Sequence, residues 1–324
     1  MITETSPNWP NHDEAWRKWR SAVASTRMHH GWILAGKKGL GKLDFAMAAS
    51  RELIAEEGMV QPSGDHPDIL AVTYGPKDKK AQTAQEAGKP YELARSIRIA
   101  QIREMQRRLT VRPTLGTRRV VIINPADDME RATSNALLKS LEEPPEGTFF
   151  ILVTHRPARL LPTIRSRCRI LRFPTLSDGQ LRQMLDPAVT GDDADAVIRA
   201  ANGSYGAALQ FAEQDLGLVS AQISELLVHG DRDMTGRGEL NRLIGARADR
   251  ERLGAIFELA QFLVAEHARK TDDARQRTAL VDLYGDLVEL AGQAPSYNFD
   301  TGLLCLEIGT LLCRAHDASE HAHG

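Results

Sequence analysis

Gly36-Lys37-Lys38-Gly39-Leu40-Gly41-Lys42-Leu43 sets glycines and a lysine between an apolar run ending at Ala35 and a helical pattern starting at Leu43. That is the layout of a phosphate-binding loop. Glycine lets backbone N–H groups face an anion, a helix N-terminus adds positive potential, and Lys42 stands where it reaches a terminal phosphate. The G-x-x-x-x-G-K spacing is met, but the next residue is Leu43 and not Ser or Thr. A leucine side chain cannot ligate magnesium. The apolar run Val120–Ile123 leads into Asn124 and Pro125, where an ATPase of this kind needs acids to hold the metal and act on water. Asp127 and Asp128 lie beyond that turn and read as surface or helix-start acids, with displaced metal ligands as the alternative. Metal ions supply several kcal/mol of stabilisation in such pockets, so losing the hydroxyl and the acids argues against efficient hydrolysis here. Nucleotide binding through Lys42 and the loop amides stays open.

Ser166-Arg167-Cys168, inside LPTIRSRCRIL, is the other candidate for chemistry, with Arg165, Arg169 and Arg172 close by. A solvated charged rim is one reading. The other is a single guanidinium held at a strand edge and offered to a phosphate outside its own pocket, a contribution of roughly 10³–10⁵ in rate. Charge spacing alone favours the rim. Arg103, Arg107, Arg108, Arg112, Arg118 and Arg119 form a basic cluster that could face DNA phosphates, solvent or another subunit. His316, His321 and His323 are possible metal ligands but belong to a polar tail, where fraying is the simpler reading. Cys305 and Cys313 fall in an apolar helical pattern and read as core.

The elements that must hold these residues alternate. Trp32–Ala35, Ile69–Val72, Val120–Ile123, Phe149–Val153 and Ile170–Phe173 read as strands, and the middle runs lack the polar alternation of a half-exposed sheet. Leu43–Ile54, Ile102–Leu109 and Ala132–Glu142 read as helices between them, which predicts a parallel sheet wrapped by helices. Trp16, Trp19 and Val23 share one face of a preceding helix and are expected as core anchors. Gly75–Pro90, polar and lysine-rich, reads as a mobile surface loop. After Pro174 the pattern turns helical. Ser177 caps a helix carrying Leu181, a second passes through Val197 and Ile198, and a third starts near Ser204. Apolar stripes through Leu253–Val264, through Leu280, Leu283, Tyr284 and Leu287, and through Leu304, Ile308 and Leu311 predict a terminal bundle.

Composition sets outer limits. The 324 residues need two or three domains, and the 42% hydrophobic and 26% charged content is that of a globular chain. No run approaches the ~20 apolar residues of a membrane span. The acidic, proline-bearing start is unlike a secretory signal, and cysteine is scarce without C-x-x-C, so a reducing cytoplasmic location is expected. A net charge of -2 excludes bulk attraction to nucleic acid as the main driver of any binding.

In this order, Gly36–Lys42, the run Asn135-Ala136-Leu137-Leu138-Lys139 continuing to Leu141-Glu142-Glu143-Pro144-Pro145, and Ser166-Arg167-Cys168 resemble the AAA+ clamp-loader subunits. His66-Pro67-Asp68 before the second strand and Ile99-Ala100-Gln101-Ile102-Arg103 are similar to the delta-prime family of the bacterial DNA polymerase III clamp loader. The likeness is specific over residues 9–175 and rests on helical layout afterwards. It implies an α/β AAA+ parallel-sheet domain at 1–173 with a degenerate phosphate loop, a helical lid at 174–214 and an all-α collar at 215–324. It also implies a non-hydrolysing subunit that helps place a sliding clamp on primed DNA. Its partners would be ATPase subunits of the gamma/tau type and a delta subunit, with the clamp reached indirectly, primer-template DNA possible within the complex, and no membrane.

Residue by residue, the resemblance makes Arg167 an arginine finger acting in trans, with Ser166 and Cys168 fixing its backbone. Gly36, Gly39, Gly41 and Lys42 become a nucleotide site that can stand empty. No cofactor is required, and ATP or ADP held weakly without hydrolysis is allowed. Many relatives carry a four-cysteine zinc module, but Gly58–Asp65 has no cysteine, so no zinc is expected. Gly206 stands where motor subunits carry a lid arginine. An active AAA+ ATPase with an unusual pocket, or a DNA-binding scaffold, are the competing readings.

Overall fold

The computed structural model describes residues 8–25, 28–186, 194–214, 216–245, 248–294 and 300–320. Residue 215, where the collar was expected to start, lies outside them, as do His321, His323 and the side chain of His316. The chain divides into two compact units, 1–176 and 177–324.

In the first unit, α1 (Asp13–Val23) precedes β1 (Gly31–Ala35), α2 (Lys42–Ile54) and β2 (Ile69–Val72). Next come α3 (Lys79–Glu86), α4 (Ile99–Leu109), β3 (Arg119–Ile123), α5 (Arg131–Glu142), β4 (Thr148–Thr154), the short α6 (Pro162–Arg165) and β5 (Arg169–Arg172). The strands make one sheet in the order β2-β3-β4-β1-β5, every pairing parallel. Ile33 of β1 lies level with Leu152 on one side and Ile170 on the other.

Alternate residues of β1, β2, β3 and β4 feed two cores, while the edge strand β5 buries Leu171 alone. Trp32, Leu34, Val120, Ile122, Ile151 and Val153 pack with Trp19 and Phe45 from α1 and α2. Ile33, Val121, Ile123, Phe150 and Leu152 pack with Ile102 and Met105 from α4 and Leu137 from α5. Strands buried on both faces explain the unbroken apolar runs in the sequence.

Residues 79–86 correct the expectation of a loop. Asp78 caps α3 through the Ala81 N–H at 2.8 Å, and Lys77 and Ala94 backbone bonds tie its flanks together. No glycine or proline interrupts Lys79–Glu86, and Ala81 alone turns inward, so a helix that is polar nearly all round resembles a loop in composition.

Asp68, directly before the edge strand β2, holds the segment that leads into β3. Its buried carboxylate accepts the Thr114 and Leu115 N–H groups at 2.7 and 2.8 Å, with the Arg119 guanidinium 3.5 Å away. Arg119 in turn donates to the carbonyls of Arg108, Val111 and Arg112.

The second unit is helical: α7 (Asp178–Met184), α8 (Ala194–Ala201), α9 (Tyr205–Glu213), α10 (Gly217–His229), α11 (Thr235–Ile244), α12 (Arg250–Lys270), α13 (Ala274–Gln293) and α14 (Thr301–Glu320). Ile256, Ala260, Leu280, Leu287, Cys305 and Ile308 are buried. Tyr284 is exposed, so the inward stripe of α13 is Leu280, Leu283 and Leu287. Arg252 donates to the carbonyls of Gln214, Leu243 and Ile244, satisfying acceptors near the ends of α9 and α11.

Removing the Asp68 carboxylate leaves Arg119 a buried cation without its counter-charge and strands two backbone N–H groups. Asp68→Ala is expected to cost about 3–5 kcal/mol, read from the urea midpoint of the purified chain.

Candidate functional site

The 36–41 loop leaves the carboxyl end of β1 and enters α2 directly, the place in an open parallel sheet where ligand crevices form. Gly41 opens α2 at φ 68°, and a Cβ there would lie 2.1 Å from the Trp9 ring. Both facts demand glycine. Lys42 is buried, and its Nζ donates to Gly36 O at 2.6 Å and to Lys37 O. Burial pushes its ammonium down to about 8, with Asp127 opposing that shift. The lysine that would reach a phosphate is therefore folded onto the carbonyls of its own loop.

An aromatic cover lies over the loop, and no periodic signal in the sequence announced it. Trp9 donates from Nε1 to Asp44 Oδ2 at 3.1 Å and stacks on His12 with ring centroids 5.3 Å apart. His12 Nε2 lies 2.8 Å from Leu40 O and must donate, since a carbonyl can only accept. Burial lowers its imidazole pKa from the ordinary value, opposed by the bond to Leu40 and by the Asp44 charge. Phe45 and Phe173 meet the same ring edge-on.

Asp127 and Asp128 stand in the first turn of the 3-10 helix Ala126–Asp128, as helix-start acids. The Asp127 oxygens accept the His155 and Arg156 N–H groups at 2.9 and 3.1 Å, joining that turn to the chain leaving β4. Asp128 accepts the Tyr74 hydroxyl at 2.5 Å and lies 3.8 Å from Arg159. His155 was missed by sequence reasoning. Burial above all, then the Lys42 charge, pushes it down to about 4, and its Nδ1 is buried without a hydrogen-bond partner. With Leu43 at the hydroxyl position and Asn124 and Pro125 after β3, the ligands that a magnesium-nucleotide centre takes from this loop and strand end are missing. Among the described residues no three His, Cys, Asp or Glu side chains gather as a metal site.

Arg167 lies elsewhere. It precedes β5, whereas the phosphate loop follows β1, and the two strands are parallel. The paired stretch from Trp32–Arg169 to Ala35–Arg172 alone puts roughly 10 Å of strand between them at ~3.3 Å per residue. Arg167 thus stands at the amino ends of the strands and its own loop at the carboxyl ends. Backbone bonds from Ser166 N to Pro162 O and from Arg167 N to Ile164 O fix the turn, and Ser166 Oγ donates to Thr163 O. The Cys168 thiol packs beside Gly31, where an added Cβ would approach Sγ to 3.0 Å, and burial pushes it up to about 12. That thiol is inert filling.

The family described as DNA polymerase III, delta subunit, matches residues 11–177, just over half of the chain. Relatives include the DNA polymerase III subunit delta' of Bacillus subtilis, 32% identical over 51% of this chain and 48% of that protein. The Escherichia coli subunit delta' is 29% identical over 82% of this chain and 77% of its own length. The chain belongs to the DNA polymerase III delta-prime family.

This delta-prime family member spans about half the length of the Bacillus relative it matches. A DNA polymerase III, gamma subunit-related protein from Thermotoga maritima shares the fold at a TM-score of 0.50 and 20% identity, covering 94% of this chain and 99% of that one. The expected α/β AAA+ fold with a helical C-terminal part is therefore present. Among the described residues no helix is long and apolar enough to cross a membrane.

Of the six arginines in the basic cluster, Arg103, Arg107, Arg108, Arg112 and Arg118 are exposed and Arg119 is withdrawn from the surface. Arg118 donates to Leu53 O, Arg108 to Pro67 O, and Arg107 pairs with Glu104.

His155 makes the loop's surroundings sensitive to acid. Its folded pKa lies below the ordinary 6.5, so the unfolded chain takes up a proton that the folded chain refuses. This contribution to stability is complete above pH 6.5 and is lost as pH falls toward about 4. Urea titrations across that window should show His155→Gln cutting the proton uptake on unfolding by up to about one proton.

Proposed function

We propose that this chain is a clamp-loader subunit of DNA replication that does not hydrolyse ATP itself and completes the ATP site of a neighbour. The neighbour is an ATPase subunit of the gamma/tau type. A delta subunit shares the assembly, the sliding clamp is its object, and primer-template DNA passes through the complex. Helices of 177–214 serve as the lid and those of 216–320 as the assembling collar.

The separation of Arg167 from its own loop supports this reading above all. An arginine separated from the 36–42 loop by about 10 Å of paired strand or more, at the other end of the sheet, cannot act on a phosphate held by 36–42. It can act only on one brought from outside, where a guanidinium matches a γ-phosphate in charge and planar geometry. The loop points the same way. Leu43 offers no metal ligand, Lys42 is spent on carbonyl oxygens, and Gly206 occupies the first turn of α9 behind its Ser204 cap.

Two measurements test this together. The purified chain should turn over ATP far below about 1 s⁻¹, while a reconstituted loader carrying Arg167→Ala should assemble normally and lose about tenfold or more of its clamp- and DNA-stimulated ATP turnover. Brisk magnesium-dependent turnover by the chain alone would favour the motor reading. An unchanged loader rate with Arg167→Ala would favour a scaffold.

A further inference from the structure

The Arg167 guanidinium is partly exposed and folded back onto its own domain. Its Nη1 donates to Thr163 O at 3.0 Å, and its Nη2 lies 2.7 Å from Glu142 Oε1. Glu142 is the last residue of α5, in the Leu141-Glu142-Glu143-Pro144-Pro145 run that carried the family resemblance without a function of its own. The end of that helix is anchored: Glu143 N donates to Lys139 O, and Leu141 O accepts from His30 Nε2 at 2.8 Å. A cation beside a helix C-terminus also gains from the helix dipole. The backbone of Arg167 is fixed by the α6 turn, so any movement of the guanidinium is a movement of side-chain torsions alone.

We infer that Glu142 is a positioning residue for Arg167, holding the guanidinium retracted against α5 until a neighbour's phosphate takes its place. This rests on the in-trans reading of Arg167 given above. The chemistry is an exchange of anions on one cation. The guanidinium has five donors but a single charge, and a carboxylate at 2.7 Å competes with an incoming γ-phosphate for it. Both partners are substantially exposed, at 37% and 48%, so the pair is weak and exchange is easy. A buried carboxylate would have locked the arginine away. An exposed one keeps it ordered and charge-balanced until the interface forms.

The test compares ATP-dependence curves of the reconstituted loader with wild-type chain, Glu142→Gln, Arg167→Ala and the double variant. Glutamine keeps the shape and removes the competing charge. Glu142→Gln is expected to lower the half-saturating ATP concentration about two- to fivefold, the range an exposed ion pair allows. The change should appear there and not in the maximal rate, and should vanish in the Arg167→Ala background. A half-saturating concentration that stays put or rises, with Arg167→Ala still slow, overturns the role of Glu142 and leaves the finger standing. If Arg167→Ala is itself silent, the in-trans reading falls first. In the isolated chain, the side-chain NMR signal of Arg167 should be ordered in the wild type and averaged in Glu142→Gln, and an unaltered signal contradicts the pairing.

Discussion

Parallel pairing of β1 with both β4 and β5 is the constraint from which the rest follows. In a parallel sheet every carboxyl end lies on one side and every amino end on the other. The loop after β1, the turn after β3 and the chain after β4 are thereby gathered into one cluster containing Lys42, Asp127 and His155. The turn before β5 is sent to the far side with Arg167. No side-chain rearrangement can reverse that. Which residues share a pocket is decided by strand direction before any catalytic group is considered.

Within that frame the residues of the 36–42 loop make structural contacts of their own. Lys42 binds the carbonyls of its own loop, Trp9 lies on Gly41, and Asp127 joins the turn after β3 to the chain leaving β4. Each contact accounts for a residue kept in a phosphate-loop pattern without calling on a phosphate. Burial of the lysine and the histidine costs stability that an apolar filling would not. The Asp127 charge and the carbonyl acceptors offset part of that cost.

The strands were legible because a sheet covered on both faces needs unbroken apolar runs, and Val120–Ile123 can be little else. The phosphate loop was legible from spacing, and Trp19 as an anchor from helical periodicity. Three kinds of information were not. The α3 helix hides because Ala81 alone faces inward, so periodicity has nothing to register. Tyr284 looked like core from its spacing, yet the width of an apolar stripe is set by the neighbouring helices, which leave it exposed. His155 and Trp9 reach the loop across long sequence separations, and no local pattern marks such contacts. Arg119 looked like one more cation in a surface cluster. Its burial, its pairing with Asp68 and its bonds to the carbonyls of Arg108, Val111 and Arg112 show it to be structural.

The proposed division of roles between the 36–42 loop and Arg167 is best examined in the assembled loader. A structure of the assembled loader with a non-hydrolysable ATP analogue would locate the guanidinium of Arg167 relative to the nucleotide of the adjoining subunit. The present account predicts a distance of about 3 Å to a γ-phosphate oxygen, with Glu142 released. A guanidinium still closed on Glu142 beside a fully occupied neighbouring site, or one facing open solvent, would contradict it.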